Sequence, residues 1–129
     1  GATTDTADAH TISVASNAAG GYAMTVSGRT LTSGANTITA VGGTAAAPSV
    51  GAEQFGLRIG VNSGTGSAVS PYNGANWALD TAAFPDTILT GSGDSVTTVF
   101  GARYMANTAA LTEFGSYSAV ITYTVTATF

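Results

Sequence analysis

The chain has no cysteine and no lysine, and charged side chains make up only 8% of its 129 residues, against roughly 25% in an ordinary soluble domain. Without cysteine there are no disulfides, no thiolate catalysis, and no cysteine-held zinc or iron–sulfur centre. The basic side chains are Arg29, Arg58 and Arg103, the formal net charge is -4 and the calculated pI about 4.3. That balance argues against a nucleic-acid partner, which needs a basic footprint against phosphate. It equally argues against electrostatic attachment to anionic lipid. No apolar run reaches membrane-spanning length, so no membrane insertion is expected of the mature chain. There is no N-terminal Met and no charged leader region, and Gly1 reads as the start of a processed or trimmed chain. Sustained helical periodicity, repeats of solenoid length and Asn-x-Ser/Thr acceptors are all missing.

What the chain does have is threonine, serine, alanine and glycine. Such a surface is neutral and rich in hydroxyls, with little charge repulsion between copies, as in a secreted, extracellular protein. The length suits one domain with a real core.

The clearest strand is Gly115 to Phe129. Tyr117, Ala119, Ile121, Tyr123, Val125, Ala127 and Phe129 share one face at period two, with serine and threonine opposite, interrupted only by Val120. This alternation predicts a long strand with one buried face, used as a central or closing element of a sheet. Residues 53–61 alternate as well, with Phe55, Leu57, Ile59 and Val61 inward. Gly56 and Gly60 fall on the outer face, where a neighbour passes close or the strand bends. His10 to Ala15, Tyr22 to Val26, Thr30 to Thr32, Thr37 to Val41 and Val96 to Met105 are further strands. Gly-rich turns separate them, among them 17–21 and 33–36. Residues 42–51 read as a small-residue linker, Trp77 and Leu79 as a short strand or a plug over the core, and 106–114 as a loop or a single helical turn. The resulting expectation is an all-β protein of seven to eight strands, a single β-sandwich of jelly-roll-like or Ig-like form. Residues 1–9 are small and polar, an extended segment ahead of the 10–129 domain. One continuous extended stretch can run on to residue 15.

No catalytic set emerges, and the chain is read as a non-enzyme. His10 beside Asp8 lacks a positioned nucleophile. The carboxylates Asp5, Asp8, Glu53, Asp80, Asp86, Asp94 and Glu113 show neither a glycosidase pair nor EF-hand spacing. Asp80, Asp86 and Asp94 serve turns or, with carbonyls, a loop calcium site; no cofactor or metal is assigned. The arginines are expected to pair with carboxylates or to stack on rings. Tyr72, Trp77 and Tyr104 are the candidates for a sugar-stacking platform, the site an alternative monomeric adhesion or carbohydrate-binding module would use.

The ending Gly115-Ser-Tyr-Ser-Ala-Val-Ile-Thr-Tyr-Thr-Val-Thr-Ala-Thr-Phe129 resembles the last strand of WxL-type secreted bacterial surface β-proteins. Gly21-Tyr22-Ala-Met-Thr-Val-Ser-Gly28 and Glu53-Gln-Phe-Gly-Leu57 look like strands common in the same broad set. Trp77-Ala78-Leu79 spells W-x-L; at Thr122-Tyr123-Thr124, where a second such motif would stand, Tyr123 replaces the tryptophan. Size, strand count, low charge and the extended N-terminal segment are also similar to bacterial and archaeal filament subunits that assemble by donor-strand complementation. That resemblance implies a pilus-like or surface-layer subunit, with other copies of itself as partner, alongside neighbouring filaments or cell-surface components. The implied interface is Thr4, Thr6, Asp8, His10, Ile12 and Val14 on the donated segment, and Tyr123, Val125 and Phe129 on the receiving strand.

Overall fold

The computed structural model describes residues 7–93 and 95–129. Its elements are strands throughout: β1 (His10–Ser16), β2 (Tyr22–Gly28), β3 (Thr32–Ser33), β4 (Asn36–Thr37), β5 (Gly42–Ala46), β6 (Gln54–Ser63), β7 (Ser67–Ala68), β8 (Trp77–Leu79), β9 (Asp86–Gly91), β10 (Ser95–Asn107) and β11 (Ile121–Ala127). Antiparallel pairing arranges them as a five-stranded sheet in the order β1-β10-β6-β8-β5 and a four-stranded sheet in the order β11-β2-β9-β7. A small β3-β4 hairpin stands beside them. The two sheets pack face to face as an all-β sandwich, the class expected from the alternation.

Alternation explains the core. Leu57, Ile59, Phe100 and Ala102 from one sheet meet Tyr22, Met24, Val26 and Leu89 from the other, all of them buried. Burying each large aliphatic or aromatic side chain contributes about 1.5–3 kcal/mol. A chain without disulfides relies on that burial for its stability.

Four strand pairs shift register, and two of the shifts bear on the core and the outer face. Met24 pairs with Leu89 and Thr25 with Thr87, so Ile88 is the extra residue. Ile88 and Leu89 can then both be buried although they are adjacent. This is why Asp86–Gly91 shows no period of two and escapes a sequence reading as a strand. In the pairing of β10 with β6, Val99 faces Ser63 and Phe100 faces Val61, which leaves Asn62 as the extra residue.

Several expectations need correction. Residues 42–46 are a strand, not part of a linker: Gly42 pairs with Leu79 and Ala46 with Trp77. Glycine and alanine have no apolar pattern to display, so only the backbone ladder reveals β5. The Thr30 and Thr37 strands shrink to the two-residue arms β3 and β4 around Gly34 and Ala35. The final strand begins at Ile121 rather than Gly115, and it is an edge strand rather than a central one, paired only with β2 among the described residues. Its inward face is covered over the first half alone. Tyr117, Ala119, Ile121 and Tyr123 pack on the core, whereas Val125 is 52% exposed and Phe129 91%.

Candidate interaction edge

β1 and β11 are the outer strands of their respective sheets, and they come together at one side of the sandwich. The His10 ring on β1 meets the Tyr123 ring on β11 edge-on at 5.5 Å, and lies 5.8 Å from the Tyr104 ring on β10. His10 Nε2 is 3.1 Å from the Tyr104 hydroxyl, which in turn hydrogen-bonds the Tyr123 hydroxyl. This chain of three polar tips ties the two sheets where they would otherwise splay. Behind it, Leu31, Phe55, Ala119 and Ile121 complete the lining of a cleft of about 350 Å³, with Phe55 stacked on Tyr104 at 6.2 Å. Burial pushes both phenols up from their ordinary range, and for Tyr123 the bond to Tyr104 adds to the rise. Both therefore stay neutral donors at physiological pH.

Beyond Tyr123 no strand other than β2 pairs with β11 among the described residues. Val125 and Phe129 continue the apolar face into solvent. The end of the chain is held by backbone alone: Gly20 N–H donates to Thr128 O at 2.8 Å, and Thr128 N–H to Gly21 O at 2.9 Å. Between residues 115 and 129 there is no charged side chain and no proline. Edge strands in natural proteins usually carry one or the other, because unpaired N–H and C=O groups recruit further strands.

The residues expected on a donated segment fall in two groups. Thr4 and Thr6 lie outside the described residues. Asp8, His10, Ile12 and Val14 are joined to the chain's own sheet. Ala9 N–H donates to Ala102 O at 2.8 Å, His10 pairs with Ala102, Ile12 with Phe100 and Val14 with Thr98. Ile12 is half-buried and Val14 buried. The Asp8 carboxylate accepts from Asn62 Nδ2 and from Arg103 Nε, each at 2.7 Å. The Asn62 hydrogen bond and then the Arg103 guanidinium hold that carboxyl below its usual range. Gly101 makes room for it, since a Cβ there would collide with the carboxylate.

The three rings considered for sugar stacking do not form a platform. Tyr72 is fully buried, its hydroxyl donating to Asp86 Oδ2 at 2.8 Å. Trp77 is also buried, beneath the Arg58 guanidinium, which sits 5.1 Å from its ring centre. Tyr104 belongs to the cleft on the other side of its sheet. The apolar area of Tyr72 and Trp77 serves the interior, the commoner use of such rings. Asp86 takes the Tyr72 hydroxyl, Asp80 O closes a turn onto Ala83 N–H at 3.1 Å, and Asp94 lies outside the described residues. Among the described residues no three His, Asp or Glu side chains gather as a metal site. The expected arginine roles are found for Arg103, paired with Asp8, and Arg58, stacked on Trp77.

No family model matches the chain, and neither a curated protein nor a solved structure does. The class its fold defines is the all-β sandwich protein.

Proposed function

We propose that the protein is a structural subunit of an extracellular, pilus-like filament or surface layer, built by head-to-tail strand addition between copies. The observation that carries this reading is the edge of β11: an outer strand paired, among the described residues, with β2 alone, an apolar face running on through Val125 and Phe129, and no charge or proline to deter pairing. An added strand on that edge gains backbone hydrogen bonds along its length and covers the exposed apolar side chains. The N-terminal segment, residues 1–9, is the donor; residues 10–15 instead form β1, paired with β10 of their own chain. In the isolated chain its last residues close onto β10 through Asp8 and Ala9. Contacts of this head-to-tail kind do not close on themselves, so they generate a fibre. A net charge of -4 spread over 129 residues opposes such stacking only weakly, because physiological salt screens it beyond about 8 Å. The resemblance of the ending and of the overall size to secreted surface β-proteins points the same way.

The experiment is electron microscopy of the full-length chain beside a version lacking residues 1–9 and a Val125→Lys variant, each checked for β-sheet content by circular dichroism. Filaments from the full-length chain and folded monomers from both variants support the proposal. Folded monomers in all three samples refute it.

A further inference from the structure

On the outer face of the five-stranded sheet, away from the β11 edge, Arg58 and Arg103 occupy directly opposite positions on β6 and β10. Like charges so placed repel. The chain has only three cationic residues other than His10, and it brings two of them together. Arg103 has a carboxylate partner, Asp8. Arg58 donates from Nε to Gly74 O at 3.0 Å and lies on Trp77, and among the described residues it has no ion-pair partner. Beside the two arginines is a hollow of about 150 Å³, lined by them and by Gly60, Val61, Asn62, Asn73 and their neighbours. Gly60 forms part of its floor, and a Cβ there would meet nothing within 4 Å. Asn62, on the same face of β6 as Arg58 and Gly60, lines one wall, its Nδ2 donating to Asp8 at 2.7 Å. The Asp8 carboxylate, held by Arg103 and Asn62, shows in place how this surface grips an oxyanion.

We propose that this hollow is a binding site for the carboxylate of a small monoanionic ligand, of the sugar-acid type. One such group seats between Arg58 and Arg103, opposite Asp8, so that two guanidiniums face two carboxylates and the excess positive charge is cancelled. A planar carboxylate matches the fork of an arginine, and the amides of Asn62 and Asn73 are suited to hydroxyls flanking it. The volume suits a single acidic ring or less, below the range of drug-sized pockets.

The test is a titration of the isotope-labelled protein with galacturonate, and with galactose as the neutral control, followed by the amide signals of Gly60, Asn62 and Asn73 and the Nε signals of Arg58 and Arg103. Saturable shifts with galacturonate and none with galactose are expected. Arg58→Gln should weaken the binding about tenfold, the equivalent of one charge-assisted hydrogen bond. Gly60→Val should abolish it by filling the hollow, and it leaves the strand intact because its side chain enters open space. Should Arg58→Gln unfold by uncovering Trp77, the Gly60→Val result decides. No shift with galacturonate, equal shifts with galactose, or binding that survives Gly60→Val overturns the proposal.

Discussion

Asp8 joins the start of β1 to the middle of the five-stranded sheet through Asn62 and Arg103. Its carboxyl is held below the usual range, so its ionised form is favoured by folding. The stabilisation is therefore fully present above the ordinary carboxylate pKa of about 3.9 and is lost as pH falls through the lower folded value. Asp8→Asn should lower stability near pH 7 by about 1 kcal/mol, and the gap to the parent protein should close toward about pH 2. Urea unfolding at the two pH values checks this, and a gap that does not change with pH would contradict it. None of this partnership could be read from the sequence. Asp8 and Arg103 are 95 positions apart, and Asn62, 54 positions from Asp8, reaches the same carboxylate only through the fold. What was legible at this scale was residue type: arginines needing carboxylates or rings, and a tryptophan serving the interior. The burial of Tyr72 within a Gly-, Ser- and Asn-rich segment was not legible, because nothing local shows which side of such a loop faces inward.

The β6 glycines separate two readings that the sequence left joined. A Cβ at Gly56 would stand 2.8 Å from Trp77 Cβ and 3.2 Å from Val41 Cγ2, whereas at Gly60 it meets open space. The neighbour expected to pass close is therefore real at one position and absent at the other. Gly56→Val should cost about 2 kcal/mol through overpacking, whereas Gly60→Val should leave the melting temperature unchanged or raised, valine being the better strand residue. Thermal melts of both variants check the contrast, and similar losses at the two sites would refute it. Period two revealed β1, β2, β6, β10 and β11 because each sets apolar residues on one side. It missed β5, which has no apolar pattern, and β9, where the bulge at Ile88 breaks the period. Nor does alternation count neighbours: it located β11 but not its place at a sheet edge. Val125→Lys places a charge on that edge at a half-exposed position. It should preserve the fold and stop strand addition, which sedimentation velocity would show as a single monomer boundary.

At the scale of the whole molecule, two facts act together. Composition leaves the surface almost uncharged, and topology leaves an apolar edge uncovered beside a cleft bridged by His10, Tyr104 and Tyr123. The fold class was legible because short alternating strands and glycine turns admit few other architectures. The order of strands was not, since β1 pairs with β10 and β11 with β2 across most of the chain. The central claim is that the β11 edge receives the N-terminal segment of another copy. It is tested most directly by electron microscopy of the full-length chain against the chain lacking residues 1–9. The account predicts filaments from the first and folded single particles from the second. Single particles from both, at every concentration tried, would contradict it.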